Sequence, residues 1–106
     1  MEILLNQYFE QEEGLKSGLP TVEFLAKKIN VSPYYLSDMM RLAIGQTTQQ
    51  YIHDKLIEKA KEKLSTTNSS VSEIAYEIGF EYPQSFNKLF KKKVNISPLK
   101  YRQLFN

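Results

Sequence analysis

Laid against itself, the chain repeats. Residues 21–51 return as residues 70–101, offset by 49 positions at first and by 50 after a single insertion. Leu25-Ala26 recurs as Ile74-Ala75, Ile29 as Ile78, Leu36 as Phe86, Met39-Met40 as Leu89-Phe90, and Tyr51 as Tyr101. The turn positions give the repeat its physical content. Asn30 stands where the second copy has Gly79, and Gly45 stands where it has Asn95. Glycine and asparagine are the residues that best tolerate the left-handed backbone of helix ends and tight turns. Each exchange therefore keeps the backbone requirement while changing the side chain. A chain of 106 residues has room for one domain, so the two copies are read as halves of one structure.

Helical periodicity dominates and no segment alternates like a strand. A first helix is expected over residues 3–13, stopping before Gly14, with a loop around Lys16-Ser17-Gly18-Leu19-Pro20. Thr21 then caps a short helix with Val22, Leu25, Ala26 and Ile29 as its apolar positions. After a turn at Asn30-Val31, Ser32-Pro33 supplies an N-cap and a proline at the first helical position, and the helix closes at Gly45. Thr47 caps a long helix whose Ile52, Leu56, Ala60 and Leu64 recur every fourth residue, with Ile57 beside them; Thr66-Thr67-Asn68-Ser69 breaks it. Ser70 and Glu73 form a capping box for the next short helix. A turn at Gly79, a helix opened by Pro83 and ending near Asn95, and a last helix capped by Ser97-Pro98 complete the second copy. The expectation is an all-α fold of about seven helices, with two helix-turn-helix units joined by a long linker helix. Its divisions are a lead-in helix and loop at 1–18, a first unit at 19–46, the linker at 47–66, and a second unit with its C-terminal helix at 67–106.

Several function classes fall away at once. The chain has no cysteine, which removes disulfides and thiolate metal sites. His53 is the single histidine; it lies mid-helix near Asp54, and no Ser-His-Asp arrangement accompanies it. Four glycines scattered as turn residues make no phosphate-binding loop. The expectation is a non-enzyme without metal or cofactor. The N-terminus lacks the basic flank and apolar run of a signal peptide, and no run approaches the length of a membrane span, so a cytoplasmic protein is expected.

The net charge of +2 hides an asymmetry. Residues 1–50 hold four Lys/Arg against six Asp/Glu, whereas residues 51–106 hold ten against six. Lys88, Lys91, Lys92 and Lys93 lie in a stretch, residues 82–93, with no acid at all. A cationic helix is the usual footprint of a polyanionic partner, although a lysine-rich face can also be simply solvated.

In a helix-turn-helix unit the second helix enters the major groove. Dividing each second helix by its period places Tyr35, Leu36, Met39, Met40 and Ala43 on the apolar stripe of the first copy, with Tyr34, Ser37, Asp38 and Arg41 facing away. In the second copy Phe86, Leu89, Phe90 and Val94 pack inward, and Gln84, Asn87, Lys88 and Lys91 face away. Gln84 and Asn87 carry amides that pair with adenine, and Lys88 suits the acceptors of guanine. Lys91 and Lys92, one turn further on, suit phosphates. In the first copy Asp38 occupies the place of Lys88. A carboxylate near phosphates is repelled unless it meets a cytosine amine or a cation, so an orienting role, with Arg41 three residues on as partner, is expected. Tyr51 and Tyr101 could stack on bases, but their equivalent repeat positions favour the core.

These residues together resemble the DNA-binding domain of the AraC/XylS family of bacterial transcription regulators. The second copy carries most of the pattern: Ser72-Glu73-Ile74-Ala75 through Ile78-Gly79-Phe80, then Ser85-Phe86-Asn87-Lys88-Leu89-Phe90-Lys91-Lys92, and Ile96-Ser97-Pro98-Leu99-Lys100-Tyr101-Arg102. Leu25-Ala26, Val31-Ser32-Pro33, Tyr35-Leu36-Ser37 and Gly45-Gln46-Thr47 match in the first copy. The resemblance, which spans residues 19–102, implies sequence-specific binding of double-stranded DNA by two helices in successive major-groove segments. It implies base contacts from Tyr34, Ser37, Asp38, Gln84, Asn87 and Lys88; beside them, Ser32, Arg41, Lys91 and Lys92 are the candidate phosphate contacts. Two departures mark the first unit as the weaker reader. Many members carry a basic residue at the place of Asp38, and Phe-Lys-Lys where this chain has Met40-Arg41-Leu42.

Family members usually carry a separate sensing or dimerisation domain, for which this length leaves no space. The acidic lead-in favours a C-terminal piece of a larger regulator over a single-domain one. The alternative class is a protein-interaction module that docks a partner such as RNA polymerase, for which Glu73, Glu77 and Glu81 are the candidate acidic residues.

Overall fold

The computed structural model describes Ile3, Leu4, Gln7, Tyr8 and residues 18–105, and all regular structure among them is helical. From Val22 onward six helices follow one another: α1 (Val22–Lys28), α2 (Pro33–Ile44), α3 (Thr48–Thr66), α4 (Val71–Glu77), α5 (Pro83–Val94) and α6 (Pro98–Gln103). Of the expected lead-in helix at residues 3–13, the four described residues are helical; the remainder, its stop before Gly14, and Lys16 and Ser17 lie outside the described residues.

Local chemistry starts these helices where expected. The hydroxyls of Thr21, Ser32, Thr47, Ser70 and Ser97 each accept from the backbone N–H three residues on, at 3.0–3.1 Å. Two of these caps are reciprocal: Glu73 reaches back to the Ser70 N–H at 3.0 Å and Gln50 to the Thr47 N–H at 2.9 Å. Each cap contributes about 1 kcal/mol. Tyr82, which precedes Pro83, has no side-chain cap.

The turns are duplicated bond for bond. Val31 N–H donates to Ala26 O at 3.0 Å, and its counterpart Phe80 N–H donates to Ala75 O at 2.9 Å. Asn30 N–H donates to Lys27 O and Gly79 N–H to Tyr76 O. This nested pair of bonds is the Schellman closure, which needs a left-handed residue just past the helix. Asn30 (φ 64°) and Gly79 (φ 107°) supply it, as Gly45 (φ 71°) and Asn95 (φ 72°) do after α2 and α5.

The long helix α3 is the shared wall of the core. Ile52, Leu56, Ile57, Ala60 and Leu64 are all buried, with α2, α4, α5 and α6 packed on them. Nineteen residues span about 28 Å at 1.5 Å each. The second unit is built around rings: Phe80, Phe86, Phe90 and Tyr101 form a chain with centroids 5.6–5.8 Å apart. The first unit holds Leu36 and Met40 at the places of Phe86 and Phe90. Tyr51 and Tyr101 pack against this core, as their repeat positions imply.

The inward stripe of α2 is narrower than its periodicity suggests. Leu36 and Met40 are buried, but Tyr35, Met39 and Ala43 are exposed, and so is Ile29 in the preceding turn. Helical spacing defines a face, whereas burial needs neighbours to cover it. Here α1 and α3 cover only the strip through Leu36 and Met40.

Candidate nucleic-acid interface

Helix α5 carries, from its first turn to its last, the row that sequence periodicity turns outward. Gln84, Asn87, Lys88, Lys91 and Lys92 are all exposed, while Phe86 and Phe90 on the opposite side are wholly buried. The fixed inner face sets the aim of the outer one: rotating α5 to withdraw Gln84 or Lys88 would expose a phenylalanine. Lys93 is the only α5 lysine in a described ion pair, with Asp54 at 3.1 Å. Lys91 and Lys92, in the last turn, also complement the negative end of the helix dipole.

On α2 the corresponding residues are less uniform. Tyr34 is 83% exposed at the first turn, and Asp38 and Arg41 are exposed beyond it. Ser37 is half-buried and its Oγ lies 3.5 Å from Oγ1 of Thr48, the one fully buried polar residue among the described residues. Ser37 is thus drawn toward the start of α3, and its counterpart Asn87 is not. Arg41 is within sequence reach of Asp38, but no ion pair joins them among the described residues. Two exposed side chains three residues apart gain little from pairing in water and lose rotamer freedom. Ser32 is exposed with its hydroxyl committed to the cap of α2. Leu42 stands where the second unit has Lys92 and is 83% exposed, so the first unit presents an alkyl chain where the second presents a charge.

Sequence reading does not single out Tyr82. It is 59% exposed at the entry to α5, in the place of Ser32, and its side chain makes no cap. The repeat alignment is the signal that points to it. Two of the three acidic residues considered for a protein partner are already engaged. Glu73 closes the Ser70 box, whose backbone and hydroxyl hydrogen bonds hold its carboxyl below the usual range, and Glu77 pairs with Lys63 at 3.1 Å. His53 lies on α3 with its Nε2 2.8 Å from Gln49 Nε2. Burial, and then the Lys93 charge, lower its pKa. No group of His, Asp and Glu among the described residues could hold a metal ion, and no helix among them is long and apolar enough to cross a membrane.

The comparisons agree with this geometry. The family described as "Helix-turn-helix domain" matches residues 25–104. Regulatory protein SoxS of Salmonella typhimurium is 31% identical over 81 residues, which is 76% of each chain. The C-terminal domain of the two-component response regulator yesN from Fusobacterium nucleatum superposes with a TM-score of 0.78 at 36% identity, covering 95% of this chain and 96% of that one. The DNA-binding domain of AdpA, solved in complex with a target DNA, shares the fold with a TM-score of 0.76 at 24% identity, over 95% and 91% of the two chains. Coverage of longer relatives is small: the chain spans 29% of an HTH-type transcriptional regulator of Bacillus subtilis to which it is 36% identical. Two helix-turn-helix units on one linker helix, a family match over most of the chain and these relatives lead to one conclusion: the chain belongs to the AraC/XylS family of transcription regulators.

Proposed function

We propose that the chain binds double-stranded DNA at a bipartite site, α5 reading bases in one major-groove segment and α2 occupying the next with weaker selectivity. The observation that carries this is the outer face of α5, where Gln84, Asn87 and Lys88 stand exposed beside Lys91 and Lys92 over a core of buried rings. Gln84 and Asn87 match the donor–acceptor pair of adenine, and Lys88 the acceptors of guanine. Lys91 and Lys92 take phosphates and set affinity without sequence choice. Tyr34 supplies the main α2 contact, Ser37 and Asp38 orient or select, and Ser32 and Arg41 meet the backbone. Tyr82, in the place of Ser32, offers a phenolic donor to a phosphate. The longest dimension of 43 Å accommodates two helices one turn of duplex apart, about 34–36 Å.

The SoxS and Bacillus subtilis relatives are named as regulators, which supports a binding module rather than an enzyme, acting in the cytoplasm. The greater length of the Bacillus subtilis relative, of which the chain spans 29%, supports a sensing or dimerisation domain elsewhere in the whole protein. RNA polymerase remains a candidate partner through Glu81, the exposed acid of the three that neither closes the Ser70 box nor joins a described ion pair. Binding to a preferred duplex tests the reading. Lys88→Ala and Gln84→Ala should each weaken it by about 1–3 kcal/mol and relax the choice at one base pair, whereas Lys92→Ala should weaken all duplexes alike and flatten the salt slope. Equal losses on every duplex for Lys88→Ala and Gln84→Ala would remove α5 from base reading.

A further inference from the structure

One carboxylate ties together the far ends of the two reading helices. Asp54, in the N-terminal half of α3, accepts from Gln46 Nε2 at 2.7 Å through Oδ2 and pairs with Lys93 Nζ at 3.1 Å through Oδ1. Gln46 directly follows Gly45, the left-handed cap of α2, and Lys93 lies in the last turn of α5. Each oxygen of Asp54 therefore holds the C-terminal end of a different reading helix.

The bridge is no part of the repeated unit. At the offset of 50, the counterpart of Lys93 is Ala43 and that of Gln46 is Ile96, neither of which can make such a bond. It belongs to the joining of the units. Beside it lies an open groove of about 310 Å³ lined by Asp54, Ile57, Glu58, Lys61, Lys93 and Val94, and the ion pair joins α3 to α5 along it. Hydrogen bonds from Gln46 and Lys93, aided by the Lys93 charge, outweigh partial burial and keep the Asp54 carboxyl below its usual range. The same pairing removes Lys93 from the lysines free to meet phosphates.

We propose that Asp54 is a positioning residue for DNA recognition, setting through Gln46 and Lys93 the distance and phase between α2 and α5, and with them the spacing between half-sites that the protein accepts. Two helices held at a fixed phase meet two groove segments at one spacing only. An added base pair rotates the second segment by about a tenth of a turn. With the bridge cut, α5 rocks on its ring core and neighbouring spacings become acceptable.

This rests on the two-unit reading above. The experiment measures affinity for the preferred duplex and for duplexes whose half-sites are moved by one and two base pairs either way, with thermal melts confirming that each protein is folded at the assay temperature. The wild type should show one sharp optimum. Asp54→Ala should bind the optimum only a few-fold more weakly, while its discrimination against off-spacing duplexes falls about tenfold. Lys93→Ala and Gln46→Ala should each flatten the profile in part. The charge reversal pairing Asp54→Lys with Lys93→Asp should restore the sharp optimum, because Gln46 can present its carbonyl in place of its amide. A profile that keeps its shape in Asp54→Ala, all duplexes weakened by one factor or none, overturns this assignment and leaves the two-unit reading standing. A wild type indifferent to spacing overturns both.

Discussion

Two glycine substitutions separate backbone strain from crowding in this fold. Gly45 and Gly79 both have positive φ, at 71° and 107°. A Cβ added at Gly45 meets nothing within 4 Å, whereas one at Gly79 falls 2.7 Å from Gly18 O, 2.8 Å from Gly18 C and 3.1 Å from Leu19 N. All three are backbone atoms of a loop whose Gly18 carbonyl also accepts from the buried Tyr8 hydroxyl. The loop therefore cannot give as a flexible side chain would. For Gly45→Ala the left-handed cost of about 1–2 kcal/mol is partly offset by a stiffer unfolded chain, leaving about 1 kcal/mol. Gly79→Ala carries a similar strain plus about 1–3 kcal/mol for displaced packing, so about 2–4 kcal/mol in all. At roughly 4–8 °C per kcal/mol for a domain of this size, calorimetry should find Gly79→Ala melting at least about 5 °C below Gly45→Ala. Equal melting temperatures for the two variants would refute the reasoning, because they would mean that the Gly18–Gly79 approach imposes no packing constraint.

Three further outcomes are expected. Arg102 donates from Nε to Leu64 O at 3.0 Å and from Nη2 to Thr67 O at 3.3 Å, closing the end of α3 against α6; Arg102→Ala should cost about 1.5–3 kcal/mol in urea unfolding. Burial, joined by the charges of Lys93 and Lys92 and opposed by Asp54, lowers the His53 pKa from 6.5. The unfolded chain then takes up the proton first as pH falls, so stability is full above about pH 6.5 and declines below it; His53→Gln should show a shallower loss between pH 7 and 5 by thermal melting. Asp38→Ala should bind all duplexes more tightly and with less selectivity if the exposed carboxylate acts by repulsion, as titrations on matched and mismatched sites would reveal.

Helix starts and turns were legible because they are local. A hydroxyl three residues before the backbone N–H it accepts from, or a Gly–Asn exchange at a helix end, carries its own geometry, and these caps and turns form as read. The apolar stripe of α3 was legible for a related reason: a helix packed by four others buries nearly every apolar position it has. On α2 the same rule overreached at Tyr35, Met39 and Ala43, since periodicity states which residues share a face and not how much of that face is covered. Asp38 and Arg41 satisfied a spacing rule and yet make no described pair. The Gln46–Asp54–Lys93 bridge was beyond sequence reading, because it joins residues 39 positions apart on different helices and breaks the repeat that organises the rest. The outward row of α5 could be read from periodicity and charge, and only the packing of Phe86 and Phe90 shows why it holds its direction.

The most direct measurement of the central claim is selection of bound duplexes from a random pool, followed by binding of the selected sequence across a salt series. Two units on one strut predict two blocks of preferred bases centred about 10 base pairs apart, the block read by α5 the more strongly constrained. They also predict affinity that falls steeply with salt as several phosphate contacts are lost. A single short block, or a pool that retains no preferred sequence, would contradict it.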